Sequence, residues 1–323
     1  MSKKIGLVGI YFPGAYDALH ENVPEGFELV DALSPEAYGN LADCEYLISR
    51  LDIDPDIINH TPNVKFWQRW GAGFDHVDLK AWGERGIPIA TCPGVNSGIV
   101  AELAIMLMLA GYRNLLQIYR QLRAGHWPRT EYFGRSFMIK GKTVGVLGLG
   151  HIGKKVAALA TAFGANVIYY DIVRQTEQEE QFGYRFVDFD TLLKESDIFT
   201  IHCPLNEETR GLIGAAQFAQ MKPTAMLINT ARGPIVDEAA LIDALTTGKI
   251  ATAGLDTYEH EPLPKDHPLL TLDNVVASAH AGGNTKDNDI NMVNYVYHNI
   301  VAFDRGEPLN TPGDIVNGEY LKK

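Results

Sequence analysis

Residues 148–153 read Gly148-Leu149-Gly150-His151-Ile152-Gly153, and no other stretch restricts the fold of this chain as strongly. A G-x-G-x-x-G pattern alone is weak, but here its surroundings agree with it. A β-rich run at 143–147 precedes it, an Ala-rich helical stretch at 152–163 follows, and a second strand-like run at 166–170 ends in Asp171. Strand, tight turn, helix and strand together make the βαβ unit of a dinucleotide-binding sheet. Gly148 makes the turn, Gly150 lets a pyrophosphate approach the backbone, and Gly153 lets helix and strand pack closely. The helix start at His151 and Ile152 offers free N–H groups and a partial positive charge to the phosphates. Asp171 is placed to accept from the adenine ribose hydroxyls, and its charge repels a 2′-phosphate. NAD is therefore expected and NADP disfavoured, with nearby Arg174 weakening the preference slightly.

Around this unit, strand-like and helix-like segments alternate. Runs at 4–10, 45–49, 64–69 and 87–90 read as strands before residue 100, and 198–202, 225–229 and 275–278 as further strands after it. Such alternation predicts an α/β chain with parallel sheets covered by helices. The stretch 97–112 is apolar nearly all round, which predicts a buried helix. Asp237 opens a helix that closes before Gly248, as capping chemistry expects. Residues 112–140 are basic, aromatic and punctuated by Gly125, Pro128 and Gly134, and read as an extended arm. The expected division is a first domain of 1–102 plus 291–323 and a second of 103–290, with 291–304 helical.

Composition narrows the function classes. The chain has 323 residues, 28 Lys and Arg against 40 Asp and Glu, and a formal charge of −12. An acidic chain lacks the basic surplus that a nucleic-acid backbone requires. The longest apolar run, 103–110, is far below the roughly 20 residues that span a bilayer. The N-terminal apolar stretch is too short for a signal peptide. Cys44, Cys92 and Cys203 are odd in number and too widely spaced for a metal or redox motif, so free thiols and no bound metal are expected. These features describe a soluble, cytoplasmic protein with neither membrane nor nucleic-acid partners.

Hydride transfer to a 2-oxo acid requires a cation for the carboxylate, an acid for the nascent alkoxide and a group that tunes the acid. Arg232 follows a strand and can hold a carboxylate bidentately. His280 lies at another strand end, before a Gly-rich turn, and imidazole titrates near neutrality. A carboxylate beside that imidazole would favour its charged form; Glu259 and Glu261 both qualify by position.

Taken together, the chain resembles the D-isomer-specific 2-hydroxyacid dehydrogenases from about residue 45 to 310. The segment 70–78, with Trp70-Gly71-Ala72-Gly73, resembles the substrate-carboxylate loop. Segments 93–97 and 100–102 resemble the interdomain crossover, 141–150 the entry to the nucleotide fold, and Pro204-Leu205 with Thr209 the adenine-side loop. Segments 229–238, 254–262 and 278–285 resemble the three catalytic blocks, all in the family's order. The resemblance implies Arg232 as substrate-binding arginine, Glu261 rather than Glu259 as the histidine's partner, and His280 as acid/base. It implies that the N–H groups of Ala72 and Gly73 bind the substrate carboxylate and that Asp256 lies near the nicotinamide carboxamide. Cys203, Pro204, Thr209, Thr230, Ala231, Arg232, His280 and Gly282 join the glycine loop, His151, Ile152 and Asp171 as cofactor residues. The implied architecture is two Rossmann-like doubly wound domains: a flavodoxin-like substrate domain from both chain ends and a central NAD-binding Rossmann domain that builds a homodimer, with the 112–140 arm as a dimer contact.

The chain departs from the family at Ala279, often Pro, and at 282–285, where Gly-Ser-Ala-Thr is commoner. Glyoxylate, hydroxypyruvate and larger aliphatic 2-oxo acids are all compatible with these motifs. Arg50 resembles a phosphate-contacting arginine, which keeps D-3-phosphoglycerate dehydrogenase open. The residues after His280 leave no room for the regulatory domain of long members, so serine feedback through it is not expected. Trp67, Trp70 and Tyr46 are the alternative lining of a more apolar pocket. A binding protein that senses NAD(H), like the corepressors of this fold, is the reading from another class; the lack of long polar tails opposes it. Glu261 opposes a formate dehydrogenase.

Overall fold

The computed structural model describes residues 2–50, 53–75, 77–311 and 313–321; His76 of the 70–78 motif lies outside them. The chain divides into two units, 1–96 with 284–323, and 97–283. The expected boundaries at 102 and 290 would cut two helices. The observed division falls before their starts and leaves Ser97–Tyr112 and Lys286–Arg305 whole.

The first unit holds a five-stranded sheet of β1 (Lys3–Gly9), β2 (Phe27–Ala32), β3 (Tyr46–Arg50), β4 (Phe66–Arg69) and β5 (Ile89–Ala90). Its order is β2-β1-β3-β4-β5, and every pairing is parallel. This is the flavodoxin-like order. Strands β3 and β4 are buried along their whole length, as strands covered on both faces must be. The helix Lys286–Arg305 lies against the helix Pro13–Glu21 and β4, bringing Val293, Val296 and Ile300 onto Ile5, Leu7, Ile48 and Phe66. Tyr46 and Trp67, expected as pocket lining, are core residues instead, each only 2% exposed. The Tyr46 hydroxyl donates to Asp304 and the Trp67 indole to Ser49 Oγ, at 2.7 and 2.6 Å. The sheet's lateral packing consumes them.

The second unit holds β6 (Thr143–Leu147), β7 (Asn166–Tyr170), β8 (Arg185–Phe186), β9 (Ile198–Ile201), β10 (Met226–Asn229), β11 (Thr252–Leu255) and β12 (Val275–Ala277). The parallel order is β12-β11-β10-β9-β6-β7-β8. Counted from β6, this is the Rossmann order with one strand added, and it reverses direction between β6 and β9, where doubly wound sheets take their ligand. The helix Ser97–Tyr112 covers β10 to β12 and packs on the helix His151–Ala162. Its outer face is open: Glu102 is exposed and Met106 is 51% exposed.

Three strands escaped the periodicity. Strand β2 is interrupted by acids, β8 has two residues, and β11 contains Gly254, where a Cβ would come within 2.9 Å of both Ile228 and Leu107. The 112–140 arm is also corrected. Its first part is a helix, Leu115–Arg123, with no buried residue, and only the rest is irregular apart from a short 3-10 turn at Phe133–Arg135. Its stripe of Leu115, Leu116, Tyr119 and Leu122 lies on helical spacing, which the surrounding basic and Gly/Pro content concealed. No single helix among the described residues is long and apolar enough to cross a membrane.

Candidate active site

The catalytic candidates all stand at strand ends of the second unit. Arg232 follows β10, held in a loop that Asn229 closes: its amide donates to the Arg232 carbonyl at 2.9 Å and its oxygen accepts from the Ala231 N–H at 3.1 Å. Gly233 next to it touches the loop after β11 so closely that a Cβ would sit 1.9 Å from the Tyr258 carbonyl. That contact brings the β10 and β11 loops together.

The β11 loop carries Glu261. One carboxylate oxygen accepts from the Tyr258 N–H at 2.9 Å, and the other meets His280 Nδ1 at 2.6 Å. Burial pushes the Glu261 carboxyl up. The His280 hydrogen bond, the Tyr258 N–H and the charges of His280 and Arg232 outweigh it, and the group is held below its ordinary range. The pairing therefore selects Glu261 over Glu259, and Arg232 belongs to the same electrostatic cluster.

His280 has φ +49°, one of two positive values outside glycine among the described residues. Such a backbone costs energy and persists where neighbours over-determine it. Asp256 supplies the determination. Its carboxylate, 1% exposed, accepts from Ser278 Oγ at 2.6 Å and from the N–H groups of Ala281 and Gly282 at 2.9 Å. Its carbonyl accepts from the His280 N–H at 2.8 Å. The turn that presents the imidazole is thus wrapped around one buried carboxylate. Tyr258 adds a hydrogen bond from its hydroxyl to the Ser278 carbonyl, 2.7 Å. Ser278 and Tyr258 were not singled out from sequence, because nothing local marks either as a support.

The glycine loop has the geometry a dinucleotide requires. Gly148 has φ +90°, and a Cβ there would lie 2.7 Å from the Cys203 nitrogen; one on Gly153 would lie 2.1 Å from the Gly148 carbonyl. Gly150, by contrast, faces open space at the start of the helix His151–Ala162. Asp171 accepts from the Leu149 N–H at 2.6 Å and the Val173 N–H at 3.1 Å, tying the end of β7 to the glycine loop while each oxygen keeps a lone pair. Two buried polar atoms near the strand ends of β9 and β10, His202 Nδ1 and Thr230 Oγ1, have no hydrogen-bond partner among the described residues. Open backbone at Gly150, the acidic strand end and these two orphans fit an NAD molecule. Burial holds His202 down at about 3 and pushes the Cys203 thiol up to about 11, so both are neutral near pH 7. The Thr209 hydroxyl is engaged within its own turn, donating to the Pro204 carbonyl and accepting from the Asn206 N–H. His202 was not among the expected cofactor residues; its strand-end place was legible, its unpaired nitrogen was not.

In the first unit, the N–H groups of Ala72 and Gly73 have no hydrogen-bond partner among the described residues. Arg50 and Arg69 are buried at the ends of β3 and β4. Arg50 donates to the Ile10 carbonyl at 2.9 Å and to Asn284 at 3.2 Å, and lies 4.2 Å over the Phe12 ring. The Tyr11 hydroxyl is buried without a hydrogen-bond partner among the described residues, and burial pushes its phenol well up against the lowering charges of Arg69 and Arg50. Among the described residues no group of three His, Cys, Asp or Glu is arranged to hold a metal ion.

Residues 105–282 match the sequence model of the D-isomer specific 2-hydroxyacid dehydrogenase NAD binding domain. A glyoxylate reductase of Aeropyrum pernix is 37% identical over 322 residues, covering 96% of this chain and 95% of the relative. A D-3-phosphoglycerate dehydrogenase of Archaeoglobus fulgidus is 43% identical over 261 residues, and there the match spans 81% of this chain but 49% of the relative. Among solved structures, a glyoxylate reductase from Paecilomyes thermophila superposes with a TM-score of 0.83 at 32% identity, covering 97% and 98% of the two chains. A D-lactate dehydrogenase from Lactobacillus jensenii, solved with NAD+, gives 0.81 at 30% identity over 97% and 99%.

Proposed function

Because the chain belongs to the D-isomer specific 2-hydroxyacid dehydrogenases, NAD-dependent oxidoreductases acting on the CH–OH group of 2-hydroxy acids, we propose that it reduces glyoxylate, hydroxypyruvate or a related small 2-oxo acid to the D-2-hydroxy acid. The observation that carries the reading is the 2.6 Å contact of His280 with Glu261 beside Arg232. NADH, held by the 148–153 loop and Asp171, would supply a hydride for C2. Arg232 holds the carboxylate and polarises the neighbouring carbonyl, and the N–H groups of Ala72 and Gly73 are assigned to the same carboxylate. His280, protonated and steadied by Glu261, delivers its proton to the oxygen that becomes the hydroxyl. General-acid catalysis of this kind contributes about 10²–10⁴ in rate.

A second reading, reduction of phosphohydroxypyruvate, is favoured by buried Arg50 and Arg69 around the unpartnered Tyr11 hydroxyl, a polar cluster suited to a second anionic group. NADH oxidation at 340 nm with glyoxylate, hydroxypyruvate, phosphohydroxypyruvate, pyruvate and 2-oxoisocaproate separates the readings. A preference of about tenfold, roughly 1.4 kcal/mol of transition-state discrimination, names the substrate. Tight NADH binding without turnover on any of them favours a sensor, and an Arg232→Ala variant with unchanged kinetics overturns the role given to Arg232.

The working unit in this reading is a homodimer in the cytoplasm. Support for the dimer is an apolar groove of about 610 Å³ on the second unit, lined by Ile105, Met106, Leu109, Leu115, Leu159 and Phe163, continuous with the exposed stripe of the Leu115–Arg123 helix. Support for a reducing compartment is that all three cysteines are unpaired.

A further inference from the structure

We propose that Glu179 sets the cofactor preference by withholding Arg174 from the ribose 2′ position, so that an ion-pair latch, and not Asp171 alone, excludes 2′-phosphorylated dinucleotides. The inference rests on the reading of Asp171 as the ribose acceptor. Between Asp171 and Phe182 the sequence holds one cation, Arg174, and three glutamates, Glu177, Glu179 and Glu180. An arginine in this place is what a 2′-phosphate would need. Here its guanidinium is engaged fork to fork with Glu179, Nε to Oε1 at 2.9 Å and Nη2 to Oε2 at 2.8 Å. It also lies 5.4 Å over the Phe186 ring.

Glu179 is the anchored member of the pair. The Tyr169 hydroxyl, from a fully buried side chain of β7, donates to the same Oε1 at 2.7 Å and accepts from the Gln175 N–H at 2.8 Å. The Glu179 side chain is 17% exposed and that of Arg174 59%. The sheet therefore fixes the carboxylate, and the carboxylate fixes the arginine. Hydrogen bonds from Arg174 and Tyr169 hold the Glu179 carboxyl down at about 2, so it is charged near neutral pH. A phosphate arriving at the ribose would have to break a bidentate pair and approach a second negative charge. Affinity for a state that needs a free Arg174 is reduced by the fraction of molecules in which it is free.

The test is equilibrium binding, read as nicotinamide fluorescence of NADH and NADPH titrated with protein, independent of turnover. Glu179→Gln keeps an oxygen for the Tyr169 hydroxyl and removes the charge; Glu179→Ala removes both. Both variants are expected to bind NADPH about tenfold more tightly than the parent, with NADH changed less than about twofold. Adding Arg174→Ala to either should abolish the gain. An unchanged NADPH affinity in both Glu179 variants, or a gain that survives loss of Arg174, overturns the latch. Asp171→Ala tests the underlying reading separately: if NADH affinity does not fall, the ribose lies elsewhere and the assignment of Asp171 fails with the latch.

Discussion

A buried carboxylate that accepts three hydrogen bonds from one turn is a support before it is anything else. The resemblance places Asp256 near the nicotinamide; its hydrogen bonds give it the task of holding His280 at φ +49°. Asp256→Asn is nearly isosteric but turns an amide N–H toward the donors of Ala281 or Gly282. Leaving such buried donors unsatisfied costs about 1–3 kcal/mol, and a displaced catalytic group costs on the order of 10²-fold in rate. We expect kcat to fall by about that factor with the substrate KM changed far less. Steady-state kinetics on the folded variant check this, and a variant with normal kcat would show that the turn needs no such anchor. The same residue illustrates why a role assigned by motif is incomplete. The resemblance pointed to Asp256, but only the fold showed which atoms its carboxylate meets.

At the scale of elements, helix caps and strand starts were readable because their chemistry is local. Asp237 caps its helix through the Ala240 N–H, 2.9 Å, and Thr143–Leu147 and Asn166–Tyr170 fall where the sequence predicts them. The Leu115–Arg123 helix was not readable in that way, since its apolar stripe sits among basic residues and leaves none of its side chains buried. That stripe carries the dimer reading. Tyr119→Glu with Leu122→Glu places charges on it without touching the core of either unit. Sedimentation or light scattering should then report a monomer, with secondary structure retained and NADH still bound. A parent protein that is itself monomeric at micromolar concentration would remove this assignment.

For the whole molecule, acid sensitivity follows from burial. His202, pushed down to about 3 by desolvation from an ordinary 6.5, must stay neutral in the folded state. Its contribution is fully present above pH 6.5 and is lost as pH falls toward 3, because the unfolded chain then binds the extra proton. By pH 5 the loss is about 2 kcal/mol at roughly 1.4 kcal/mol per pH unit. His202→Gln should therefore lose less stability between pH 7.5 and 5 than the parent, by about 4–8 °C in Tm. Thermal melts of both proteins without cofactor, at both pH values, make the comparison; parallel pH dependences would contradict a buried neutral imidazole at this position.

The sequence by itself determined the dinucleotide loop, the α/β class and the identity of Arg232 and His280 as candidates. Each depends on short-range patterns: glycine at a turn, alternation of apolar runs, a polar residue closing a strand. Tertiary structure decided what depends on residues far apart in the chain. It brought Glu261 rather than Glu259 to His280, consumed Tyr46 and Trp67 in the core, and left His202 and Thr230 with unpaired buried atoms. Hydrogen-bond satisfaction and burial are properties of the packed molecule, and no local pattern encodes which partner a side chain finally meets.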